Sequence, residues 1–350
     1  MSASARILVV KTSSLGDVVH ALPAVTDIAA LHPHVAIDWV CEEGFAGIPR
    51  LHRSVSRVIP CAIRRWRKSW WTSETRHEID AFKAALAESR YDLAIDFQGL
   101  FKSAWIMRQV RTTRHGYRWN NAREPLATLL YDVRHRVEWG QHAIVRNRLL
   151  AAKAMGHADT GPVRYGVDAN AFGHPESSVF TERSAAAREA FTLVALHATS
   201  RADKSWPESQ WRDVLQHVSK CGASVVIPWG SDVERERSMR LGDGIERATV
   251  PERMEMAGLA QIFADASIVV GVDTGLVHLA VAAGAPTIAI FGPTDPALTG
   301  VVAERSPAVN LGGNGQAPSA EQVIAAIDSM LASMLASVPP SMPASPPIRR

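Results

Sequence analysis

Apolar positions along this chain follow two alternating patterns. Short β-branched runs that are apolar throughout stand between longer segments with an apolar residue every third or fourth position. The uniform runs read as strands buried on both faces, and the spaced segments read as amphipathic helices. In the first half the runs are Arg6–Val10, Ala36–Cys41, Val55–Pro60 and Tyr91–Phe97. In the second half they are Thr192–His197, Ser224–Pro228, a piece near Ala248, Ala266–Val272 and Pro286–Phe291. Helices are predicted after Asp17 (Val18, Val19, Leu22, Val25, Ile28 and Ala29 share a face), within 45–54, over 74–89, through Val110, and over 141–156. Further helices are predicted over 208–221, 232–241 and 256–265, after Asp273, and over 320–333. Strand–helix alternation throughout predicts an α/β protein with doubly wound, mostly parallel sheets, whose ligands bind beyond the strand C-termini. Residues 62–71 fit neither period, and 111–140 are expected to be irregular. The weakly patterned 161–176 is the expected linker. This places domains at 1–165 and 176–319, with a tail from Val338 whose five prolines favour disorder.

Two strand ends carry the chemistry. Arg6–Val10 runs into Lys11-Thr12-Ser13-Ser14-Leu15-Gly16-Asp17, and Ala266–Val272 runs into Asp273-Thr274-Gly275-Leu276-Val277-His278. Helix N-termini offer unpaired N–H groups and the positive end of a dipole, which suit a phosphate. One such turn in each half suggests a ligand held between two domains. Asp17 either complements its helix dipole or serves as a general base, ionised near neutral pH. Asp273 and Thr274 either cap their helix or touch ligand, Gly275 lets a ligand approach, and His278 is either a packed histidine or a donor to it. Lys204, in a polar loop, is a candidate to neutralise a leaving group without a metal. No paired D-x-D carboxylates are present to hold a divalent ion, so no metal and no cofactor are expected. No G-x-G-x-x-G follows the first strand and no P-loop occurs, which disfavours a nicotinamide dehydrogenase or a P-loop NTPase.

Composition adds a division. The 350 residues carry a net charge of +3, but residues 1–164 hold 24 Lys+Arg against 15 Asp+Glu (+9), leaving 14 against 20 (−6) for the rest. Residues 50–76 hold eight of the basic residues and one acid, Glu74. Within them Arg64-Arg65-Trp66-Arg67-Lys68 and Trp70-Trp71 form either an exposed charged turn with buried tryptophans or a grip for an anionic partner. No nucleic-acid motif accompanies the cluster, so a sugar acid or lipid phosphate at a membrane surface is preferred to nucleic acid. The three cysteines are widely spaced, without C-x-x-C, which fits a reducing cytoplasm. The first residues lack a signal-peptide h-region, and no apolar stretch nears the roughly 20 residues of a membrane span, so membrane contact is expected to be peripheral.

Taken together, the chain resembles the lipopolysaccharide heptosyltransferases of glycosyltransferase family 9, type I in particular, over roughly residues 6–330. The resemblance rests on Lys11 to Asp17, Glu42-Glu43-Gly44-Phe45, Ile63 to Lys68, and Trp119 with Ala122-Arg123-Glu124-Pro125-Leu126-Ala127. It rests further on His197-Ala198-Thr199, Lys204-Ser205-Trp206-Pro207, Pro228-Trp229-Gly230, Asp273 to His278, and Gly292-Pro293-Thr294-Asp295-Pro296. It implies a GT-B architecture, two Rossmann-like domains facing across a cleft, and inverting transfer of L-glycero-D-manno-heptose from ADP-heptose. The type I acceptor is the Kdo region of Kdo2-lipid A, at the cytoplasmic face of the inner membrane. By the same resemblance Thr199, Ser200, Lys204, Glu234, Met254, Asp273, Thr274, Gly275 and His278 hold the donor. Asp17 is the base, and Ser14, Arg64, Arg65, Arg67, Lys68 and Arg123 meet the acceptor. Ser200 stands where Thr is common. Chains of this kind often cross back, which puts residues 320–337 against the first domain. The type II enzyme, which adds a second heptose, is the close rival. A nucleotide- or dinucleotide-binding protein of other function is the remote one.

Overall fold

The computed structural model describes residues 5–158, 161–168, 191–199 and 201–336. They form two sheets of six strands, all parallel. The first contains β1 (Arg6–Val10), β2 (Ala36–Glu42), β3 (Val55–Cys61), β4 (Leu93–Asp96), β5 (Thr113–Tyr117) and β6 (Val133–His135), in spatial order 3-2-1-4-5-6. The second contains β7 (Thr192–Leu196), β8 (Ser224–Val226), β9 (Ala248–Thr249), β10 (Ile268–Val272), β11 (Thr287–Phe291) and β12 (Ala308–Gly312). Its order, 12-11-10-7-8-9, is the same winding read from the other edge. Each sheet therefore reverses direction once, between β1 and β4 and between β7 and β10. A crevice opens beyond the strand ends at each such point. The uniform apolar runs of β1, β7, β10 and β11 sit in the sheet centres, fully buried as the pattern predicts. This is the two-domain GT-B arrangement.

Three local expectations are corrected. Residues 62–71 contain a helix, Ile63–Ser69, whose periodicity is hidden because only Trp66 is buried, its Nε1 donating to Glu78 Oε2 at 2.6 Å. The tryptophans on its far side are not tucked inward: Trp70 is 62% exposed and Trp71 58%. Residues 111–140 are not irregular throughout. They supply β5 and β6, outer strands too short and too polar (Thr-Arg-His-Gly-Tyr, Val-Arg-His) to leave an apolar run. The last helix, Ala320–Ala336, does not cross back to the first domain. Val323, Ile327 and Met330 line one face of it and bury against Trp206, Val214 and Ile288 of the second domain, and His217 meets Asp328 at 3.1 Å. Of the expected linker, residues 161–168 are anchored: Tyr165 is buried, its hydroxyl donating to Val302 O, and Gly166 O accepts from Arg53 N. Residues 169–176, and the tail from Val338, lie outside the described residues.

The domains touch along one side of the cleft through an apolar core that is continuous across the seam, with Val18, Val19 and Leu22 in one cluster with Leu259, Val277 and Leu279. The helix Leu15–Val19 crosses the helix Gly275–Ala283 with Gly275 set against Leu15 and the backbone of Gly16. A Cβ on Gly275 would stand 2.5 Å from Leu15 Cβ and 2.7 Å from Gly16 N, and one on Gly16 would stand 3.2 Å from the His278 ring. The freedom of Gly275 thus admits the opposite domain, not only a ligand. Gly275→Ala is therefore expected to force the domains apart, costing about 1–3 kcal/mol as overpacking does. A larger radius of gyration in small-angle scattering, with a lower unfolding midpoint, checks it.

Candidate active site

The cleft between the strand ends encloses a cavity of about 690 Å³. Segments of both domains line it: the turn after β1 on one side, and the loops after β7, β8, β9 and β10 on the other. After β1 the backbone of Thr12 and Ser13 donates to Gln98 Oε1, at 3.1 and 3.2 Å, so the turn after β4 shapes the turn after β1. Gln98 is itself held because the buried Asp96 carboxylate accepts from Gln98 N, Gly99 N, Ser103 Oγ and Tyr131 Oη. The helix Leu15–Val19 then places Asp17 at the cleft. Its Oδ2 accepts from Ser14 N (3.2 Å) and Ser14 Oγ (3.0 Å), and its Oδ1 from Arg123 Nη2 at 3.0 Å, with Lys11 Nζ 3.8 Å away. Burial opposes ionisation of this carboxyl. Lys11 and Arg123, with the Ser14 amide, outweigh it and hold the pKa well below the usual carboxylate range. Lys11 is buried beneath, its Nζ also donating to Phe97 O at 3.0 Å; burial lowers its pKa and Asp17 partly restores it.

On the facing domain β10 delivers Asp273 and the helix Gly275–Ala283. Thr274 occupies the N-cap position but its hydroxyl caps nothing; Val277 N donates back to Thr274 O, and the amides of Gly275 and Leu276 are left open at the cavity wall. Asp273 is nearly buried and does not cap that helix. Its Oδ2 accepts from Lys204 Nζ at 2.6 Å and from Thr294 Oγ1, which fixes the ammonium next to the open amides. His278 lies one turn inward, its Nδ1 3.2 Å from His20 Nε2 of the first domain and its Nε2 4.0 Å from Asp273 Oδ1. Burial pushes the His278 pKa down to about 4, against the pull of Asp273. Glu234 accepts from Gly230 N and Ser231 N, at 2.7 and 3.1 Å, so it organises the turn after β8 as well as facing the cavity.

Thr199, Lys204, Glu234, Met254, Asp273, Thr274, Gly275 and His278 therefore all line one cavity, together with Asp17, Ser14, Arg64 and Arg123. Ser200 lies outside the described residues. The rest of the basic cluster is not in the cavity wall. Arg65 is committed to Glu43 (3.1 Å) and Glu78 (2.8 Å), so it braces the helix Ile63–Ser69, while Arg67 and Lys68 point to solvent. Missed by the sequence reading are Lys11, Gln98, His20 and Arg146. Arg146 stacks 3.7 Å over Trp139 and helps enclose a small polar cavity behind Asp17. Lys11 alone left a signal, an amine ending a fully apolar strand.

A cationic recess around one ionised carboxylate faces an uncapped helix end across the cavity, an arrangement that suits group transfer from an activated diphosphate. The sequence model of glycosyltransferase family 9 (heptosyltransferase) matches residues 79–326. The chain belongs to glycosyltransferase family 9. Lipopolysaccharide heptosyltransferase 1 of Pseudomonas aeruginosa is 47% identical over 84% of this chain and 81% of its own. That of Escherichia coli K12 is 45% identical over 84% and 90%. Among solved structures, E. coli heptosyltransferase WaaC with ADP superposes with a TM-score of 0.83 at 41% identity, covering 93% of this chain and 99% of that one. WaaC with ADP-2-deoxy-2-fluoro heptose gives 0.80 at 40%, over the same shares. The E. coli ADP-heptose lps heptosyltransferase II shares the fold, with a TM-score of 0.69 at 18% identity, covering 94% of this chain and 99% of that one.

In this family 9 chain the charge on Asp17 is set by its cations. Arg123→Gln removes one of them, so the Asp17 carboxyl is expected to titrate at higher pH than in the unaltered protein. The sign follows from the direction of the shift: a depressed pKa gives stability present above the unfolded value of about 3.9 and lost as pH falls through the folded value. Carboxylate NMR titration, with Asp17→Asn to assign the resonance, checks this.

Proposed function

We propose that this chain is an inverting, metal-independent heptosyltransferase. It moves L-glycero-D-manno-heptose from ADP-heptose to the Kdo region of Kdo2-lipid A, as a peripheral protein at the cytoplasmic face of the inner membrane. One observation carries the reading: Asp17 of the first domain faces, across a single cavity, the Lys204 ammonium and the open helix end at Gly275. The diphosphate binds at that helix end, where the amides and the dipole favour negative charge. As the bond from the anomeric carbon to the diphosphate oxygen breaks, charge accumulates on the leaving ADP. Lys204 and the amides stabilise it without a metal ion. The acceptor hydroxyl attacks the anomeric carbon from the opposite face and passes its proton to Asp17, which inverts the configuration. Arg123 links acceptor binding to this step. A sugar-acid carboxylate that draws the guanidinium from Asp17 Oδ1 removes a cation that depresses the base, so basicity rises when it is needed.

The identity of 45–47% to type 1 relatives supports Kdo as the acceptor region, as do Arg64 and Arg123 at the cavity and Arg67 and Lys68 beyond it. The membrane setting is supported by the carboxyl edge of the first sheet. After β3 to β6 this edge exposes Trp70, Trp71, Phe101, Trp119, Leu126, Leu129 and Trp139 among Arg67, Lys68, Arg118 and Arg136. Aromatic and basic side chains together suit an anionic lipid surface.

Coupled measurement of ADP release tests the assignment. Asp17→Asn is expected to lower kcat about 10²-fold or more while leaving ADP binding intact, and near-normal turnover contradicts the base. Activity is expected to survive excess EDTA, and loss restored by a divalent ion contradicts the metal-free step. A heptose-free, Kdo-bearing lipid A is expected to be the better acceptor, and preference for a heptose-bearing one favours the type II reaction.

A further inference from the structure

Two buried imidazoles, one from each domain, lie between Asp17 and Asp273. His20 ends the helix Leu15–Val19, where its carbonyl accepts from Asn147 Nδ2 at 3.0 Å and its ring is held at the seam. His278 faces it from the helix Gly275–Ala283, with ring centroids 4.4 Å apart and Nε2 of His20 3.2 Å from Nδ1 of His278. Both residues are 3% exposed. Only one of the two facing nitrogens can carry the proton that they share.

The surroundings decide which. His20 Nδ1 is buried with no hydrogen-bond partner among the described residues. A buried N–H without an acceptor is costlier than an unused lone pair, so the proton of His20 belongs on Nε2 and Nδ1 stays bare. His20 then donates to His278 Nδ1. His278 in turn keeps its own proton on Nε2, the nitrogen on the side of Asp273 and the cavity. The third ring, His142, stands 5.6 Å from His20 and has both nitrogens engaged, Nδ1 by Ile144 N and Nε2 on Gly300 O. It therefore neither supplies nor removes this proton.

We propose that His20 is a positioning residue of the donor site: its Nε2–H, reaching across the seam, fixes His278 as the Nε2–H tautomer that donates into the diphosphate cavity. The proposal rests on the reading of that cavity as the ADP-heptose site. Both rings are kept neutral chiefly by burial, with Lys11, Lys204 and the neighbouring imidazoles acting the same way and Asp17 and Asp273 against it. The variable is thus the position of a proton, not a charge. A neutral donor beside Lys204 adds a directed hydrogen bond to the leaving group without a further full charge. Because the partner of His278 sits on the other domain, the donor is correctly set only while the seam is closed.

Long-range ¹H–¹⁵N spectra of the full chain labelled at histidine, with ADP present, read the tautomers directly. In the unaltered protein His278 is expected to be protonated at Nε2 and bare at Nδ1. His20→Leu, of similar volume but without a donor, is expected to mix or reverse the His278 tautomer and to weaken ADP binding about tenfold, the scale of one hydrogen bond to a charged group. His20→Gln, whose amide N–H can replace Nε2–H, is expected to restore both, and it stands in for the leucine variant should that not fold. A bare His278 Nε2 in the unaltered protein overturns the proposal. So does an unchanged tautomer or unchanged ADP affinity in His20→Leu. Neither readout uses transfer to an acceptor, so a failed acceptor assignment leaves this test intact.

Discussion

The whole site depends on the crossing of two helices at Gly16 and Gly275. Gly275 leaves room for Leu15 and for the backbone of Gly16, where its own Cβ would stand within 3 Å of both, and Gly16 lies against the His278 ring. From that crossing the rest follows by short reach. Asp17 is one residue past Gly16, at the cavity mouth. The open amides begin at Gly275, at the cavity wall. His20 and His278, one turn inward on each helix, meet behind them. Two crevices that in separate domains would stand apart become one cavity because Gly275 carries no side chain against Leu15 and Gly16. The apolar core continues through this seam, so closure draws on hydrophobic burial as well as on ligand contacts.

Electrostatics divide along the same line. The basic half surrounds Asp17 with Lys11 and Arg123, so the carboxyl is ionised at neutral pH and, in the proposed reaction, is a weak base at rest. In the proposed reaction the acidic half holds the diphosphate with amides and one lysine that Asp273 aims. A net negative domain can hold a diphosphate because what matters is local: a helix end and an ammonium within the cavity, not the sum over the surface.

Much of this was legible in the chain. Strands buried on both faces leave uniform apolar runs, which is why β1, β7, β10 and β11 and the turns that follow them could be placed, and with them Asp17, Lys204, Asp273 and His278. Short, polar strands leave no such run, so β5, β6 and β12 were hidden among polar residues. Side-chain pairing was hidden too. The Arg64–Lys68 cluster reads as one cationic patch, yet Arg65 is spent on Glu43 and Glu78, and Trp66 is held by Glu78. Partners far apart in sequence left no periodicity: Gln98 bridges to Thr12 and Ser13, and His20 to His278, only because the sheets wind as they do. The path of the last helix was misread because its apolar stripe suits either domain, and only the neighbouring face of Glu208–Lys220 decides.

The central claim is one of placement: the carboxylate of one domain stands opposite the anomeric carbon of a sugar whose diphosphate rests on the other. A crystal structure of this protein with a non-transferable ADP-heptose analogue measures it directly. The account predicts the diphosphate on the amides at Thr274 and Gly275 beside Lys204, with Asp17 facing the anomeric carbon on the side away from the leaving oxygen. A diphosphate bound away from that helix end, or Asp17 on the same side as the leaving group, would contradict it.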